Sequence, residues 1–117
     1  MSETQVSHTL LITDAKGSRK LVLDGLKYTI GRDVNNNIQL YSRFVSRHHA
    51  VLLRVPEEGG KYLYRIIDGD LAGKPSVNGV IINHYMKIPS SYDLRNGDVI
   101  ILAPNVELTY LITQTVS

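Results

Sequence analysis

Three segments of this chain of 117 residues carry side chains that together suit a phosphate group. Arg32 has a planar guanidinium with five donors and a permanent positive charge. Ser46 offers a hydroxyl, and Asn78 offers an amide with two donors and one acceptor. An arginine supplies charge and a fork of donors, while neutral donors satisfy the remaining oxygens of a dianion. The set therefore predicts a phosphate-binding site, with Arg47 as a second cation.

Each of these residues also has an ordinary explanation. An arginine after a strand is usually solvated, a serine before a strand often caps a turn, and Asn-Gly commonly forms a tight turn. If all strands formed simple hairpins, the loops before and after residues 37–40 would lie at opposite ends of a strand about 13 Å long. Residue types and strand counting alone therefore do not bring the three segments together.

The elements that must position these residues are short β-strands. Apolar residues alternate with polar ones along 106–112, and a similar alternation runs along 62–67, which is the period of a strand. Turn-forming pairs separate the shorter β-rich runs, and residues 90–93 are expected to start one short helical turn. This pattern predicts an all-β sandwich or barrel. The shorter runs lie at 9–13, 21–23, 28–30, 37–40, 50–55, 80–82 and 99–102.

Composition limits the classes of function. Hydrophobic residues make up 43% of the chain, which is enough for the core of one domain. A net charge of +2 does not indicate nucleic acid or an anionic membrane as the main partner. The absence of cysteine excludes disulfides, thiolate catalysis and cysteine-based zinc sites. Because the start of the chain lacks an apolar signal core and no apolar run could span a bilayer, we predict a cytoplasmic location.

Catalysis and metal binding have little support in the sequence. Ser46, His49 and Asp68 are the residue types of a nucleophile triad, but no nucleophile elbow or oxyanion-hole motif accompanies them. The adjacent His48 and His49 would point to opposite faces of a strand, which disfavours a shared metal ion. We therefore expect a binding domain that is not an enzyme and that needs no metal or cofactor.

The order and spacing of the motifs resemble the forkhead-associated (FHA) domain family. The resemblance covers residues from about 9 to 112 and implies an FHA-like β-sandwich (SMAD/FHA type) of about eleven short strands, with binding loops at one end. It implies a domain at 9–113 between flexible segments at 1–8 and 114–117. The motifs are Gly31-Arg32, Val45-Ser46-Arg47-His48-His49-Ala50, Ser76-Val77-Asn78-Gly79 and Leu94-Arg95-Asn96-Gly97-Asp98-Val99-Ile100.

The resemblance also implies recognition of phosphothreonine in partner proteins that are substrates of Ser/Thr kinases. Arg32 and Ser46 would bind the phosphate, Arg47 would be a further phosphate contact, and Asn78 would hold the peptide main chain. We expect no nucleic-acid or membrane partner, and we expect such a domain to be part of a larger multidomain chain. Structural roles would fall to Gly31, which shapes its loop, His49, which orders the loop of Ser46, and Gly79, which forms the turn after Asn78.

Three features depart from the family pattern and mark predicted positions of peptide specificity. Val77 stands where the family often has Thr or Ser, so a hydroxyl that can reach the phosphate is missing. The segment 69–75 is longer than the usual link, which would allow Lys74 to lie near the phosphate. Phe44 replaces a residue that is charged in some relatives, which suggests an apolar preference.

Val77 and the long segment 69–75 leave an alternative function open on the same fold. The domain would then be a scaffold that binds proteins without phosphate, through a sheet face or through this segment. Tyr41, Phe44 and Tyr85 are the candidate contacts for such a partner.

Overall fold

Eleven strands occupy most of the chain in the computed structural model, which describes residues 4–116. A 3-10 turn, Glu58–Gly60, lies between the fifth and sixth strands. Within residues 4–116, no helix is long and apolar enough to cross a membrane. The strands are β1 (Thr4–Asp14), β2 (Gly17–Leu23), β3 (Lys27–Gly31), β4 (Ile38–Gln39), β5 (Ala50–Pro56), β6 (Tyr62–Asp68), β7 (Ile81–Ile82), β8 (Met86–Lys87), β9 (Ser91–Asp93), β10 (Val99–Ala103) and β11 (Val106–Val116).

The strands form two sheets that enclose one apolar core. The larger sheet has the order β2-β1-β11-β10-β7-β8, and the smaller has the order β4-β3-β5-β6-β9. Alternation decides which side chains face inward, since Val106, Leu108 and Tyr110 of β11 are buried and the residues between them are partly exposed. They meet inward residues of the smaller sheet such as Leu52 and Ile66. Because burying one large aliphatic side chain contributes about 1.5–3 kcal/mol, this shared core holds the sheets together. The predicted all-β sandwich is confirmed.

Three short segments differ from the sequence-based expectations. Residues 90–93 were expected to start a helical turn, but Ser91–Asp93 is strand β9, whose Tyr92 pairs with Ile66 of β6. The strand expected at 37–40 is limited to Ile38–Gln39. Strand β8 was not predicted, because an element of two residues cannot display a period.

The long ladder between β1 and β11 extends into both ends of the chain. These strands pair from Thr4↔Val116 to Thr13↔Glu107, and His8 is only 2% exposed. This corrects the expectation of flexible segments at 1–8 and 114–117 for residues 4–8 and 114–116. Strand pairing and the burial of His8 order these terminal residues, although their polarity alone suggests flexible ends. Residues 1–3 and 117 lie outside the described residues.

One parallel pairing brings the polar loops to the same end of the sandwich. β3 pairs in parallel with β4 through Ile30↔Ile38, so the chain leaves both strands at the same end. Ala50 of β5 pairs antiparallel with both Ile30 and Asp68, so the segment before β5 and the segment after β6 also lie there. Simple antiparallel hairpins would have separated these segments.

Candidate functional site

Backbone hydrogen bonds join the segment after β3 to the segment before β5. The Arg32 N–H donates to the Ser46 carbonyl at 3.0 Å, and the Asp33 N–H donates to the Arg47 carbonyl at 3.2 Å. The side chain of Asn36 is buried and donates from Nδ2 to the same Arg47 carbonyl at 2.7 Å. These contacts place Arg32 beside Ser46, although the two residues are distant in sequence.

Gly31 permits this close approach because it has no side chain. A Cβ atom at this position would lie 2.1 Å from the Arg47 carbonyl oxygen and 2.9 Å from Asn36 Nδ2. The first contact is with backbone, which cannot rotate away as the end of a side chain can. Any larger residue would therefore push apart the two segments that carry Arg32 and Ser46.

His49 links the Ser46 segment to the segment that follows β6. Its fully buried ring accepts the Ser46 N–H at Nδ1 (3.0 Å) and donates from Nε2 to the Gly79 carbonyl (2.7 Å). Burial lowers the pKa of His49, although the hydrogen bond to Gly79 and the charge of Asp68 act in the opposite direction. The ring is therefore neutral near pH 7 and holds both loops through its two nitrogens.

The Ser46 hydroxyl is oriented by the segment after β6 but keeps its proton available. Ser46 Oγ accepts the Val77 N–H at 3.0 Å, and within residues 4–116 the hydroxyl proton has no acceptor. The exposed Asn78 donates from Nδ2 to the Phe44 carbonyl at 2.7 Å. This contact leaves Asn78 Oδ1 able to accept a hydrogen bond from a ligand.

The segment 76–79 is fixed from beneath. Ser76 Oγ donates to Asp68 Oδ1 and accepts the Gly79 N–H at 2.8 Å. Gly79 has a φ of +78°, which favours glycine, and a Cβ there would lie 2.6 Å from Lys87 Cε. Ser76 is therefore directed at Asp68 and does not replace the hydroxyl that is missing at Val77.

These loops border a cleft of about 400 Å³. We call it the phosphate cleft, after the group that the sequence predicts for its residues. Arg32 donates from Nε to the Val45 carbonyl at 3.1 Å, and its terminal nitrogens have no acceptor within the described part of the chain. No carboxylate among residues 4–116 forms an ion pair with Arg32, Arg47 or Lys74. The excess of unpaired positive charge suits an anion. The polar residues that line the phosphate cleft are Arg32, Ser46, Arg47, His48, Asp70 and Lys74.

The FHA domain model matches residues 28–103, which include every residue of the phosphate cleft. The chain belongs to the FHA domain family. Among solved structures, it is similar to the Slr1951 protein of Synechocystis sp., with 42% identity and a TM-score of 0.84, over 89% of this chain and 96% of that chain. It is also similar to Mycobacterium tuberculosis EmbR in complex with a low-affinity phosphopeptide, with 34% identity and a TM-score of 0.65, over 88% of this chain and 24% of that chain.

The FHA domain also resembles part of a much longer protein. It is 36% identical over 101 residues to the Synechocystis protein sll1895, and the match covers 86% of this chain. The same match spans 14% of the length of that relative.

The structure divides the residues predicted from the sequence between two clefts of this FHA domain. Lys74 and Val77 line the phosphate cleft beside Arg32 and Ser46. Phe44 instead lines a second cleft of about 320 Å³, together with Tyr41. Asn78 lies at the boundary, since its amide donates to the Phe44 carbonyl. Phe44 is therefore not directed at the phosphate cleft.

Sequence reasoning missed three residues of the phosphate cleft and its frame. Asn36 joins two loops, His48 Nδ1 lies 3.3 Å from Asn36 Oδ1, and Asp70 organises the segment 69–75. Asp70 had a usable signal, because an aspartate three residues before a glycine often begins a turn. The role of Asn36 had no comparable signal, since its partners become neighbours only through the parallel β3–β4 pairing.

A larger cleft beside β9 is less suited to an anion. It has a volume of about 680 Å³, and its lining contains two cations, Arg65 and Arg95, and two carboxylates, Glu57 and Asp93. Arg65 Nε already donates to Asp93 Oδ1 at 2.6 Å, and this hydrogen bond raises the pKa of Arg65. The charge of Arg65 is thus satisfied within the protein, in contrast to the charges of the phosphate cleft.

Proposed function

We propose that this FHA domain binds a phosphothreonine-containing segment of a partner protein, with the phosphate held by Arg32, Ser46 and Arg47. Membership of the FHA family supports phosphoprotein recognition rather than catalysis, and the similarity to EmbR bound to a phosphopeptide supports it further. One observation carries the proposal. The terminal nitrogens of Arg32 and the hydroxyl proton of Ser46 are both unpaired within residues 4–116, on segments joined by a direct backbone hydrogen bond.

The chemistry of these groups matches a phosphate ester. A phosphothreonine carries a charge of about −1.5 to −2 at pH 7 and three strong acceptor oxygens. Arg32 would supply a fork of donors, Ser46 a single hydroxyl donor and Arg47 a further cation. Hydrogen bonds to charged groups contribute about 1.5–3 kcal/mol each. Since His49 and the backbone contacts already fix Arg32 and Ser46, binding loses little conformational entropy at these positions.

Asn78 would hold the main chain of the bound peptide. Its side-chain amide both donates and accepts, so it can pair with a peptide group on either side. The hydrogen bond from Nδ2 to the Phe44 carbonyl fixes the plane of the amide and leaves Oδ1 exposed. The preference for threonine as the phosphorylated residue rests on the family resemblance.

A library of peptides with a fixed phosphothreonine tests this function. Wild type should retain the phosphorylated library and release the same library after phosphatase treatment. Arg32→Ala should lose about ten- to a hundredfold in affinity, because a charge-assisted contact is removed. Arg95→Ala is the matched control. Arg95 is exposed between β9 and β10, so this substitution removes the same charge outside the phosphate cleft. Equal retention of both libraries by wild type would contradict the proposal.

A protein contact that does not require phosphate is the second candidate. Val77 is 87% exposed and adds no hydroxyl to the phosphate cleft, while Tyr41 and Phe44 line the second cleft beside Pro104. If this cleft is the binding surface, Phe44→Ser should release a partner from cell extract and Arg32→Ala should leave it bound. The opposite pattern would exclude the second candidate.

A further inference from the structure

The loop 69–75 forms one wall of the phosphate cleft and contributes a cation to it. Asp70, Lys74 and Pro75 of this loop all line the cleft. Lys74 forms no ion pair among residues 4–116, so its ammonium is available to a ligand. Arg32 and Ser46, which lie on different segments of the chain, line the same cleft.

Asp70 holds this loop in a closed conformation. Its Oδ1 accepts the Ala72 N–H at 3.0 Å and the Lys74 N–H at 2.8 Å. The Asp70 N–H donates to the Lys74 carbonyl at 2.9 Å, and the Gly73 N–H donates to the Asp70 carbonyl at 3.2 Å. A carboxylate that accepts two N–H groups of its own loop restricts the backbone strongly. The backbone of Lys74 is therefore fixed even though its side chain is exposed.

The base of the loop is anchored to the residue that orders Ser46. The Gly69 N–H donates to the His49 carbonyl at 2.7 Å. Gly69 has a φ of +101°, and a Cβ there would lie 2.2 Å from the Lys74 carbonyl oxygen. Only glycine permits the loop to fold back on its own start in this way. The position of the Lys74 backbone is thus set relative to Ser46 through His49.

We infer that Lys74 supplies the phosphate contact that Val77 cannot make, and that Asp70 is the positioning residue for Lys74. This inference rests on the proposed function. Val77 contributes a backbone N–H to Ser46 Oγ but no hydroxyl to a ligand, whereas Lys74 lines the same cleft with an unpaired ammonium. Asp70 also lines the cleft. Its negative charge opposes the binding of a dianion, while its hydrogen bonds order the loop that carries Lys74.

The role of Lys74 is tested with the smallest ligand that contains the recognised group. The probe is N-acetyl-phosphothreonine N-methylamide, titrated into the full chain while backbone amide shifts are followed by NMR. Lys74→Ala should weaken binding about three- to tenfold, the loss expected for one exposed charged contact. Lys61→Ala removes the same charge in the turn between β5 and β6, outside the cleft, and should leave the affinity unchanged. The amide spectrum of each variant verifies its fold.

The role of Asp70 is tested by two variants that both remove its charge. Asp70→Asn keeps an oxygen that accepts the Ala72 and Lys74 N–H groups, whereas Asp70→Ala keeps none. Asp70→Asn should bind about two- to threefold more tightly than wild type, because a like charge is gone. Asp70→Ala should bind about threefold more weakly than Asp70→Asn, because only the ordering of Lys74 separates them. The conservative variant thus distinguishes positioning from charge.

The outcomes separate this inference from the function on which it rests. If Arg32→Ala weakens binding and Lys74→Ala matches wild type, the inference is overturned and the proposed function stands. If Asp70→Ala and Asp70→Asn bind equally, Asp70 is not a positioning residue. If wild type shows the same shifts with the phosphorylated and the unphosphorylated probe, both the inference and the proposed function fail.

Discussion

The phosphate cleft lies at one end of β6, near Asp68, and a cluster of aromatic residues lies at the other end, near Tyr62. Around the phosphate cleft, the charged groups of Arg32, Arg47 and Lys74 have no ion-pair partner among residues 4–116. In the aromatic cluster, formed by His8, Tyr62, Tyr64 and Tyr110, every buried side-chain nitrogen or oxygen has a hydrogen-bond partner within residues 4–116. The same strand thus has a surface with unpaired cations at one end and a core with hydrogen-bonded polar atoms at the other.

The aromatic cluster is neutral, and three of its four residues are buried. The His8 ring stacks on Tyr62 with centroids 4.3 Å apart, and His8 Nδ1 is hydrogen-bonded to the Tyr110 hydroxyl. Burial lowers the pKa of His8, and the charge of Arg54 lowers it further. Burial also raises the pKa of Tyr64 to about 12, and its hydroxyl donates to the Gly25 carbonyl at 2.7 Å. Buried polar groups that are paired in this way stabilise the fold and are closed to ligands.

The contrast shows how one sandwich separates stability from recognition. Buried polar atoms are costly without a partner, so the aromatic cluster supplies each with one. Exposed cations lower the stability of the fold little, because water solvates them when no ligand is bound. Substitutions in the phosphate cleft should therefore change binding, and substitutions in the aromatic cluster should change stability.

The largest effect is expected from Arg32→Ala. Its affinity for a phosphothreonine peptide should fall about ten- to a hundredfold, or about 1.5–3 kcal/mol. Its free energy of unfolding in urea should fall by no more than about 1 kcal/mol, because the side chain is exposed and loses only its hydrogen bond to the Val45 carbonyl. A loss of stability as large as the loss of binding energy would remove the contrast between the two ends.

Tyr110→Phe should give the opposite pattern. Removing the hydroxyl leaves buried His8 Nδ1 without its partner, which should lower the free energy of unfolding by about 1–3 kcal/mol. The Kd for the phosphopeptide should not change, since the phosphate cleft lies at the other end of β6. Urea denaturation and calorimetry on the same sample measure both quantities. An altered Kd in a folded variant would show that the ends are coupled.

Acid should weaken the fold through two buried histidines. The pKa values of His8 and His49 are both lowered in the folded protein, chiefly by burial. As pH falls below about 6.5, the unfolded chain takes up protons that the folded chain excludes, so the free energy of unfolding decreases. Urea midpoints at pH 7.5 and 5.5 measure this loss. A midpoint that is independent of pH would contradict the neutral state of both rings.

Val77→Thr should produce the smallest effect. A hydroxyl at this exposed position would add one neutral donor to the phosphate cleft, so affinity should rise about two- to fivefold. Fluorescence anisotropy with a labelled phosphothreonine peptide measures the change, and Val77→Ala controls for the loss of the valine side chain. An unchanged Kd would show that residue 77 does not face the phosphate.

Much of the fold could be predicted from alternation, and the exceptions have physical reasons. The strand pattern along 106–112 predicted the correct faces of β11, because Val106, Leu108 and Tyr110 on one side of that strand are buried. Residues 4–8 were expected to be flexible because they are polar. Yet His8, Leu10 and Ile12 share the buried face of β1. The alternation of a strand was therefore present, but one of its buried positions holds a polar residue.

The site was less accessible to sequence reasoning than the fold. The residue types of Arg32 and Ser46 indicated phosphate, but their proximity depends on the parallel pairing of β3 with β4, which has no signature in a strand of two residues. The sequence indicated that Gly31 shapes its loop. It did not indicate the cause, which is that the Arg47 carbonyl leaves no room for a side chain at this position. The direction of the Phe44 side chain depends on the conformation of a loop. The spacing of apolar residues predicts strands but not loop conformations.

Calorimetric titration of wild type and Arg32→Ala with one phosphothreonine peptide and its unphosphorylated form determines whether the phosphate cleft recognises phosphate. Wild type should bind the phosphorylated peptide at least about tenfold more tightly than the unphosphorylated one, and Arg32→Ala should remove most of this difference. Equal affinity of wild type for the two peptides would contradict phosphate recognition by this cleft.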